Sequence, residues 1–335
     1  MHPPVGNMAP DTQTNLIMDN LLSVIILSYK NGDMLYETID SVLEQTYPDI
    51  EIVLCDDASP EFEKSRVEAY ISARNRGNIS NVTVIVNPVN VGTVKNLNRG
   101  IAEAKGGFLK VIAGDDLFAS PDICSVQIEY LKEHPDANLV VGNIQECDDR
   151  MNPRSMSGFL LKDDRNPLFR DRNALLKYLA RKGQKALATQ AICFRKSFFA
   201  KYGLYNEEFR LIEDLPMAIR IAENEKMIGY INLPCVKHRG SGVGVSTSND
   251  AFDVRKIQYY EDLEKFYTIS LMPLKDIVGS TFVRMRHGVC KFRIEYCKLD
   301  PPTAANKIKT VIRYLPHLIY YALTRTGRVL FYLKG

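Results

Sequence analysis

The stretch Phe108 to Phe118, FLKVIAGDDLF, decides how this chain is read. An apolar run stops at Gly114 and is followed at once by two carboxylates, Asp115 and Asp116. A short apolar run bounded by glycine reads as a buried strand. Acids at its C-terminal tip then fall on the edge of a sheet, where open α/β folds bind ligands. Two adjacent carboxylates repel unless a cation or a proton stands between them, and oxygen donors suit Mg2+ or Mn2+, ions that in turn suit phosphate. Taken alone, the pair reads first as a turn or a helix N-cap, so the weight falls on the rest of the chain.

Working outward, Leu21 to Leu27 (LLSVIIL) has the near-continuous aliphatic pattern of a strand buried on both faces. It runs into a polar loop at Ser28, Tyr29, Lys30, Asn31 and Gly32. Asp33 is placed to cap a helix reaching Gln45, with Leu35, Ile39, Val42 and Leu43 on one stripe. A second strand, Ile50 to Cys55, also ends in acids, Asp56 and Asp57; a helix from Glu61 to Arg74 and a strand from Val82 to Val86 follow. Apolar strands alternating with amphipathic helices predict an α/β fold with polar groups from three strand ends on one side. Next comes NVGTVKNLNRG, Asn90 to Gly100, a loop entering a helix. There Gly92 lets backbone approach an anion and Lys95 can reach a phosphate. Neither GxGxxG nor GxxxxGK[ST] occurs, which counts against dinucleotide oxidoreductases and P-loop ATPases.

Further on, the pattern predicts a helix over Pro121 to Glu133 and a strand over Ala137 to Gly142. A polar insertion from Met151 to Lys185, with one helix at Asn173 to Arg181, is expected to be mobile and partner-contacting. Glu213 and Asp214 open a helix, Leu215 to Glu225, whose Pro216 marks the first turn; an acid there is by default a cap. A short strand, Met227 to Ile231, precedes Val236 to Ser241 and a Gly- and Ser-rich loop to Asn249. A lone histidine is more often structural than chemical, yet His238, between Lys237 and Arg239, suits a diphosphate or a metal.

The 335 residues suffice for one large domain or two small ones. The net charge of +3 hides an asymmetry: from Lys275 onward, twelve Lys and Arg face only Asp276, Glu295 and Asp300. From Lys307 to Leu323, Ile308, Val311, Ile312, Leu315, Leu318, Ile319 and Ala322 form one stripe, with Pro316 expected to bend the helix. Such a helix either packs on its own domain or lies on an anionic membrane surface; a homodimer interface is the rival use, and nucleic acid is not expected as a partner. Seven scattered cysteines without CxxC spacing argue against disulfides and zinc, and read as reduced residues of a cytoplasmic protein. The polar start to about Asn20 is not expected to be a signal peptide, and no apolar run reaches the roughly twenty residues of a spanning helix.

Together these segments resemble the family 2 glycosyltransferases of GT-A fold, inverting enzymes of bacterial capsule, O-antigen and exopolysaccharide synthesis. The resemblance spans about Leu22 to Ser246. It rests on SVIILSYKN (Ser23 to Asn31), DDAS (Asp56 to Ser59), NVGTVKNLNRGI (Asn90 to Ile101), AGDD (Ala113 to Asp116), FRKSFFAKYGLYNEEF (Phe194 to Phe209) and ED (Glu213 and Asp214). It implies a central mixed sheet flanked by helices. The expected layout is a tail at 1–20, a catalytic domain at 21–250 (nucleotide-sugar half to 120, acceptor half beyond) and a basic helical extension at 251–335.

The same resemblance implies roles. Tyr29 would flank the nucleotide base, with Leu27 and Ser28 beside it, and Asp57, next to Asp56, would bond a uracil-like edge. Gly92, Lys95 and Asn98 would face the donor. Asp115 would hold the ribose or share a Mn2+ or Mg2+ ion that Asp116 ligates. His238 or Arg239 would close over the diphosphate, His238 also serving as a metal ligand. Asp214 matches the catalytic base, with Glu213 beside it. The implied reaction moves a sugar from a nucleotide-diphosphate donor, a UDP-sugar by expectation, to a hydroxyl of a glycan or lipid-linked glycan. Chemistry asks for the same parts: cations for the departing diphosphate and one carboxylate for the attacking hydroxyl. Ala113 stands where the commoner motif has its first acid. That substitution favours an alternative, a non-catalytic nucleotide-sugar-binding or scaffold subunit.

Overall fold

The computed structural model describes residues 19–161, 167–182, 187–240, 254–299 and 302–332. Among these, nine strands build one mixed sheet: β1 (Leu22–Ser28), β2 (Ile50–Asp56), β3 (Ile79–Val86), β4 (Phe108–Ala113), β5 (Leu117–Phe118), β6 (Leu139–Cys147), β7 (Pro153–Ser157), β8 (Ile192–Arg195) and β9 (Gly229–Arg239). Their order is β3-β2-β1-β4-β8-β6-β9-β5, with β7 on β6. The longer helices are α1 (Met34–Leu43), α2 (Lys64–Arg74), α3 (Thr93–Glu103), α4 (Ile123–Glu133), α5 (Arg172–Lys182), α6 (Asp214–Asn224), α7 (Val254–Lys265), α8 (Ser280–Cys297) and α9 (Ala304–Tyr332).

The first four strands are parallel, and their sequence explains why. Val24, Ile25 and Ile26 of β1, and Ile52, Val53 and Leu54 of β2, are fully buried. Residues on both faces of these strands are apolar, which requires helices above and below the sheet. Each such side chain contributes about 1.5–3 kcal/mol of burial. Register then aligns the strand ends: Leu27 pairs with Cys55 and Ala113, and Ser28 with Asp56. The ladder continues as the strands end, with Asp57 N–H donating to Ser28 O (2.8 Å) and Gly114 N–H to Leu27 O (2.8 Å). Tyr29, Asp57 and Asp115 therefore leave the sheet from one edge.

Several sequence expectations are corrected. Asp33 precedes α1 but makes no side-chain cap; Met34 N–H donates instead to Asn31 O at 3.2 Å. The segments around Met227 to Ile231 and Val236 to Ser241 belong to one strand, β9, whose register on β6 shifts around Pro234. Proline removes a ladder donor, and that interruption made one strand look like two. The strand placed at Ala137 to Gly142 runs on to Cys147, and part of the insertion after Met151 is ordered as β7, antiparallel to β6. The N-terminal tail before residue 19 and most of the loop to Asn249 lie outside the described residues. α9 continues through Pro316. All seven cysteines are buried. Among the described residues, no helix is long and apolar enough to cross a membrane.

Candidate active site

Two carboxylate pairs define the site. The first follows β4. β5 begins directly after Asp116 and pairs antiparallel with β9, Leu117 opposite Lys237 and Phe118 opposite Val236. That register carries the next residues of β9 over the acid turn. His238 Nδ1 lies 3.2 and 3.1 Å from the two oxygens of Asp116, and Arg239 N–H donates to Asp116 Oδ1 at 2.8 Å. Asp116 is 1% exposed, whereas the His238 side chain remains 34% exposed. The hydrogen bond to Asp116 raises the His238 pKa and outweighs burial. Arg239 turns inward: its guanidinium donates to Asp115 O (3.0 Å), to Glu37 Oε2 (2.6 Å) and to Asp149 O. It braces the acid turn from beneath. Thr38 Oγ1 adds a bond to Asp116 O at 2.8 Å.

The second pair opens α6. Thr189 N–H donates to Asp214 Oδ1 at 2.7 Å, and Tyr205 OH bonds Thr189 Oγ1 at 3.2 Å. Burial raises the Asp214 pKa, while the Thr189 bonds and the charge of His238 draw it back. Burial and then the adjacent Asp214 carboxylate push Glu213 well above the ordinary carboxylate range.

Thr189 is positioned from the core. Lys110, in β4, is fully buried; its ammonium donates to Gln127 Oε1 (2.6 Å) and Gln190 O (3.2 Å) and lies 5.4 Å from the Phe118 ring centroid. Gln127 Nε2 donates in turn to Ala191 O at 3.0 Å. This lysine and glutamine hold the turn that presents the Thr189 amide, and both were missed from sequence. The signal was a lysine inside an apolar strand run.

The remaining expected residues gather along the neighbouring edge. Asp56 caps its own turn, accepting Ser59 N–H (2.8 Å) and Ser59 Oγ–H (2.6 Å). Tyr29 is half-buried, with Lys30 Nζ 5.1 Å from its ring centroid. Backbone at Gly92 does meet an anion, and that anion is Asp57. Val91 N–H and Gly92 N–H donate to the Asp57 carboxylate at 2.8 and 2.9 Å, and Asn87 Nδ2 adds a third bond at 3.0 Å. Gly92 has φ +91°, and a Cβ there would lie 2.5 Å from Arg210 Cγ and 2.8 Å from Arg210 O. Lys95 is exposed on the first turn of α3. Asn98 is buried, its amide spent on Tyr205 O (2.9 Å), Tyr205 N–H (3.0 Å) and Glu207 Oε1 (3.0 Å). Among the described residues, a cleft of about 500 Å³ lies along α6, lined by residues such as Lys201, Arg220 and Pro273; neither acid pair lines it.

Comparisons with known proteins give the family and the fold. The profile of Glycosyl transferase family 2 matches residues 23–202. Glycosyltransferase GlyG of Streptococcus pneumoniae is 30% identical over 132 residues, covering 39% of this chain and 42% of that protein. WfaP of Escherichia coli, a UDP-Glc:alpha-D-GlcNAc-diphosphoundecaprenol beta-1,3-glucosyltransferase, is 31% identical over 112 residues, covering 33% of this chain and 41% of that protein. The chain thus spans about two fifths of the length of each. Among solved structures, S. aureus TarS 1-349 in complex with UDP-GlcNAc superposes with a TM-score of 0.56 at 15% identity, covering 90% of this chain and 92% of that one. A mixed sheet flanked by helices, with acids gathered at its strand ends, is the GT-A architecture. The chain belongs to glycosyltransferase family 2.

Proposed function

We propose that this protein is an inverting glycosyltransferase that moves a sugar from a UDP-sugar to a hydroxyl of a lipid-linked or oligosaccharide acceptor in bacterial surface polysaccharide synthesis. The observation that carries the reading is the pairing of Asp116 with His238 at the end of β4, on a chain whose second acid, Asp214, is held by the Thr189 amide. In this reading Asp214, oriented by the Thr189 amide, takes the proton of the attacking hydroxyl. A carboxylate whose pKa burial has raised is a better base than an exposed one. A single displacement with one base inverts the anomeric centre. The hydrogen bond to Asp116 favours the cationic form of His238, which in this reading faces the departing diphosphate.

In this reading a divalent ion binds at the acid turn, although among the described residues no group of three or more His, Cys, Asp or Glu is arranged around a metal position. An octahedral Mg2+ or Mn2+ with ligands at about 2.1 Å has neighbouring ligands roughly 3 Å apart. The 3.1 Å between the Asp116 oxygen and His238 Nδ1 is a hydrogen bond, so an ion here would take the place of the proton between them. Asp116 and His238, with Asp115 adjacent, would hold it, and a bound ion would supply charge stabilisation for the diphosphate. Release of nucleoside diphosphate is measured across a donor panel, with and without EDTA, for the parent chain and Asp214→Asn. Turnover by the parent with loss in the variant supports the reading. Full turnover by Asp214→Asn removes the base assignment. Donor binding without turnover over the whole panel favours the non-catalytic subunit to which Ala113 points.

The acceptor side of the reading draws on α9. Ile308, Ile312, Leu315, Ile319 and Leu323 share one face and are 45–65% exposed. The aromatic side is turned inward instead: Tyr314 bonds Glu295 (2.9 Å), and Gly288 of α8 lets His317 approach closely. The aliphatic row is about 22 Å long at 1.5 Å per residue. Exposed Lys307 and Lys309 flank it. Self-pairing would bring these cations together, whereas an anionic bilayer complements both the row and its charge. The protein is therefore read as peripheral on the cytoplasmic face of a membrane. Co-sedimentation with anionic vesicles should fall strongly for the triple variant Ile312→Ser, Leu315→Ser, Ile319→Ser. Equal partitioning by parent and variant rejects the membrane, and a halved solution mass in the variant assigns the row to a dimer.

A further inference from the structure

The C-terminal helices reach the segment before Glu213 and Asp214 through α7. Asp262 of α7 is fully buried, and its Oδ2 accepts three successive main-chain N–H groups, from Arg210 (2.8 Å), Leu211 (2.6 Å) and Ile212 (3.4 Å). One turn later, Lys265 Nζ donates to Glu208 O at 2.9 Å. α7 thus grips residues 208–212 at both ends. The same segment touches the donor-side loop: Arg210 O accepts Val94 N–H (3.3 Å), and the Arg210 guanidinium donates to Asn90 O (3.0 Å) and Asn90 Oδ1 (2.7 Å). Glu213 and Asp214 follow immediately in sequence.

We propose that Asp262 is a positioning residue for sugar transfer: by holding residues 210–212 it locks the Gly92 loop and Asp214 into one arrangement. The inference rests on the glycosyl-transfer reading and deepens it by making the C-terminal helices part of the catalytic apparatus. Asp262 Oδ1 has no hydrogen-bond partner among the described residues. An unpaired oxygen on a fully buried carboxylate is costly, and such costs concentrate where function needs them. A neutral acceptor could occupy this place with less penalty. The carboxylate binds three amides at once, which a single hydroxyl would hold less firmly.

The test uses the full chain with Asp262→Ala and Asp262→Asn, and it reads hydrogen exchange alongside kinetics. Two reporter amides lie on either side of the turn: Val94, bonded to Arg210 O, and Thr189, bonded to Asp214. Asp262→Ala is expected to speed exchange at both by about tenfold or more, with the β1 amides unchanged. Its kcat should fall about tenfold while the donor KM stays within about threefold, because misplacement of a base costs rate more than binding. Asp262→Asn retains one acceptor oxygen and should lie between parent and alanine variant in both measures. It decides the matter if the alanine variant does not fold. Faster exchange confined to residues 210–212, or parental exchange at Val94 and Thr189 in a folded Asp262→Asn, overturns the proposal. Exchange needs no turnover, so an inactive parent would remove the glycosyl-transfer reading while the coupling is still read.

Discussion

The two acid pairs of this site are both adjacent carboxylates at the tip of a regular element, yet their surroundings differ. Asp116 meets an imidazole, a main-chain amide and a threonine hydroxyl on its own carbonyl. Glu213 and Asp214 are neighbours in sequence whose charges oppose each other, with the Thr189 amide donating to Asp214 and the charge of Asp262 adding to the effect on Glu213. The first environment raises the affinity of a histidine for its proton; the second raises the affinity of carboxyl groups for theirs. In the proposed reading the two surroundings carry different tasks, the Asp116–His238 pair binding charge and Asp214 handling a proton.

The sharpest way to break this contrast is to neutralise the base. Asp214→Asn should lower kcat by about 10²–10⁴-fold, the usual worth of a general base, with a much smaller change in donor KM. Steady-state release of nucleoside diphosphate measures it. A loss seen mainly in KM would move Asp214 into the binding half. The next effect belongs to the first pair. Removing divalent ions with EDTA should lower turnover by about 10²-fold, with recovery on adding Mn2+ or Mg2+. Unchanged turnover in EDTA would leave His238 as the cation at the first pair.

A smaller effect tests how the base is held. Lys110→Met removes the ammonium that bonds Gln127 and Gln190 O, leaving two buried acceptors unpaired. Loss of about 1–3 kcal/mol in denaturant unfolding is expected, together with a kcat deficit at the folded plateau. Stability lost without any kcat deficit would make this lysine a packing residue only.

Much of the first pair was legible in sequence, because an apolar strand that ends in acids announces an edge, and a parallel register makes such edges coincide. The second pair was legible as residues but not as an environment. Thr189 lies 25 positions before Asp214 and Asp262 lies 50 or more after the amides it binds, so nothing local marks either contact. Asp57 shows a different difficulty. Its position at a strand end was readable, while its capture by the Val91 and Gly92 amides depends on how the loop before α3 folds back. Arg239 was readable as a cation near the site, but its inward turn onto Glu37 and Asp115 O follows from the β5–β9 register.

The mildest prediction separates the cost of the second pair from its use. A carboxyl whose folded pKa is raised binds its proton more tightly in the folded state than in the unfolded one. Its stabilising contribution is full below the unfolded pKa and is lost as pH rises through the folded value. Burial and Asp214 place Glu213 in this class. Glu213→Gln should therefore melt like the parent near pH 4 and about 2–4 °C above it near pH 8. Catalysis runs the other way: a base must be unprotonated, so in the proposed reading kcat should fall as pH drops through the Asp214 pKa, which burial raises above that of an unperturbed aspartate. If Glu213→Gln gives no gain at pH 8, Glu213 is stabilised by something beyond its packing, and the difference between the two acid pairs narrows to their cationic partners.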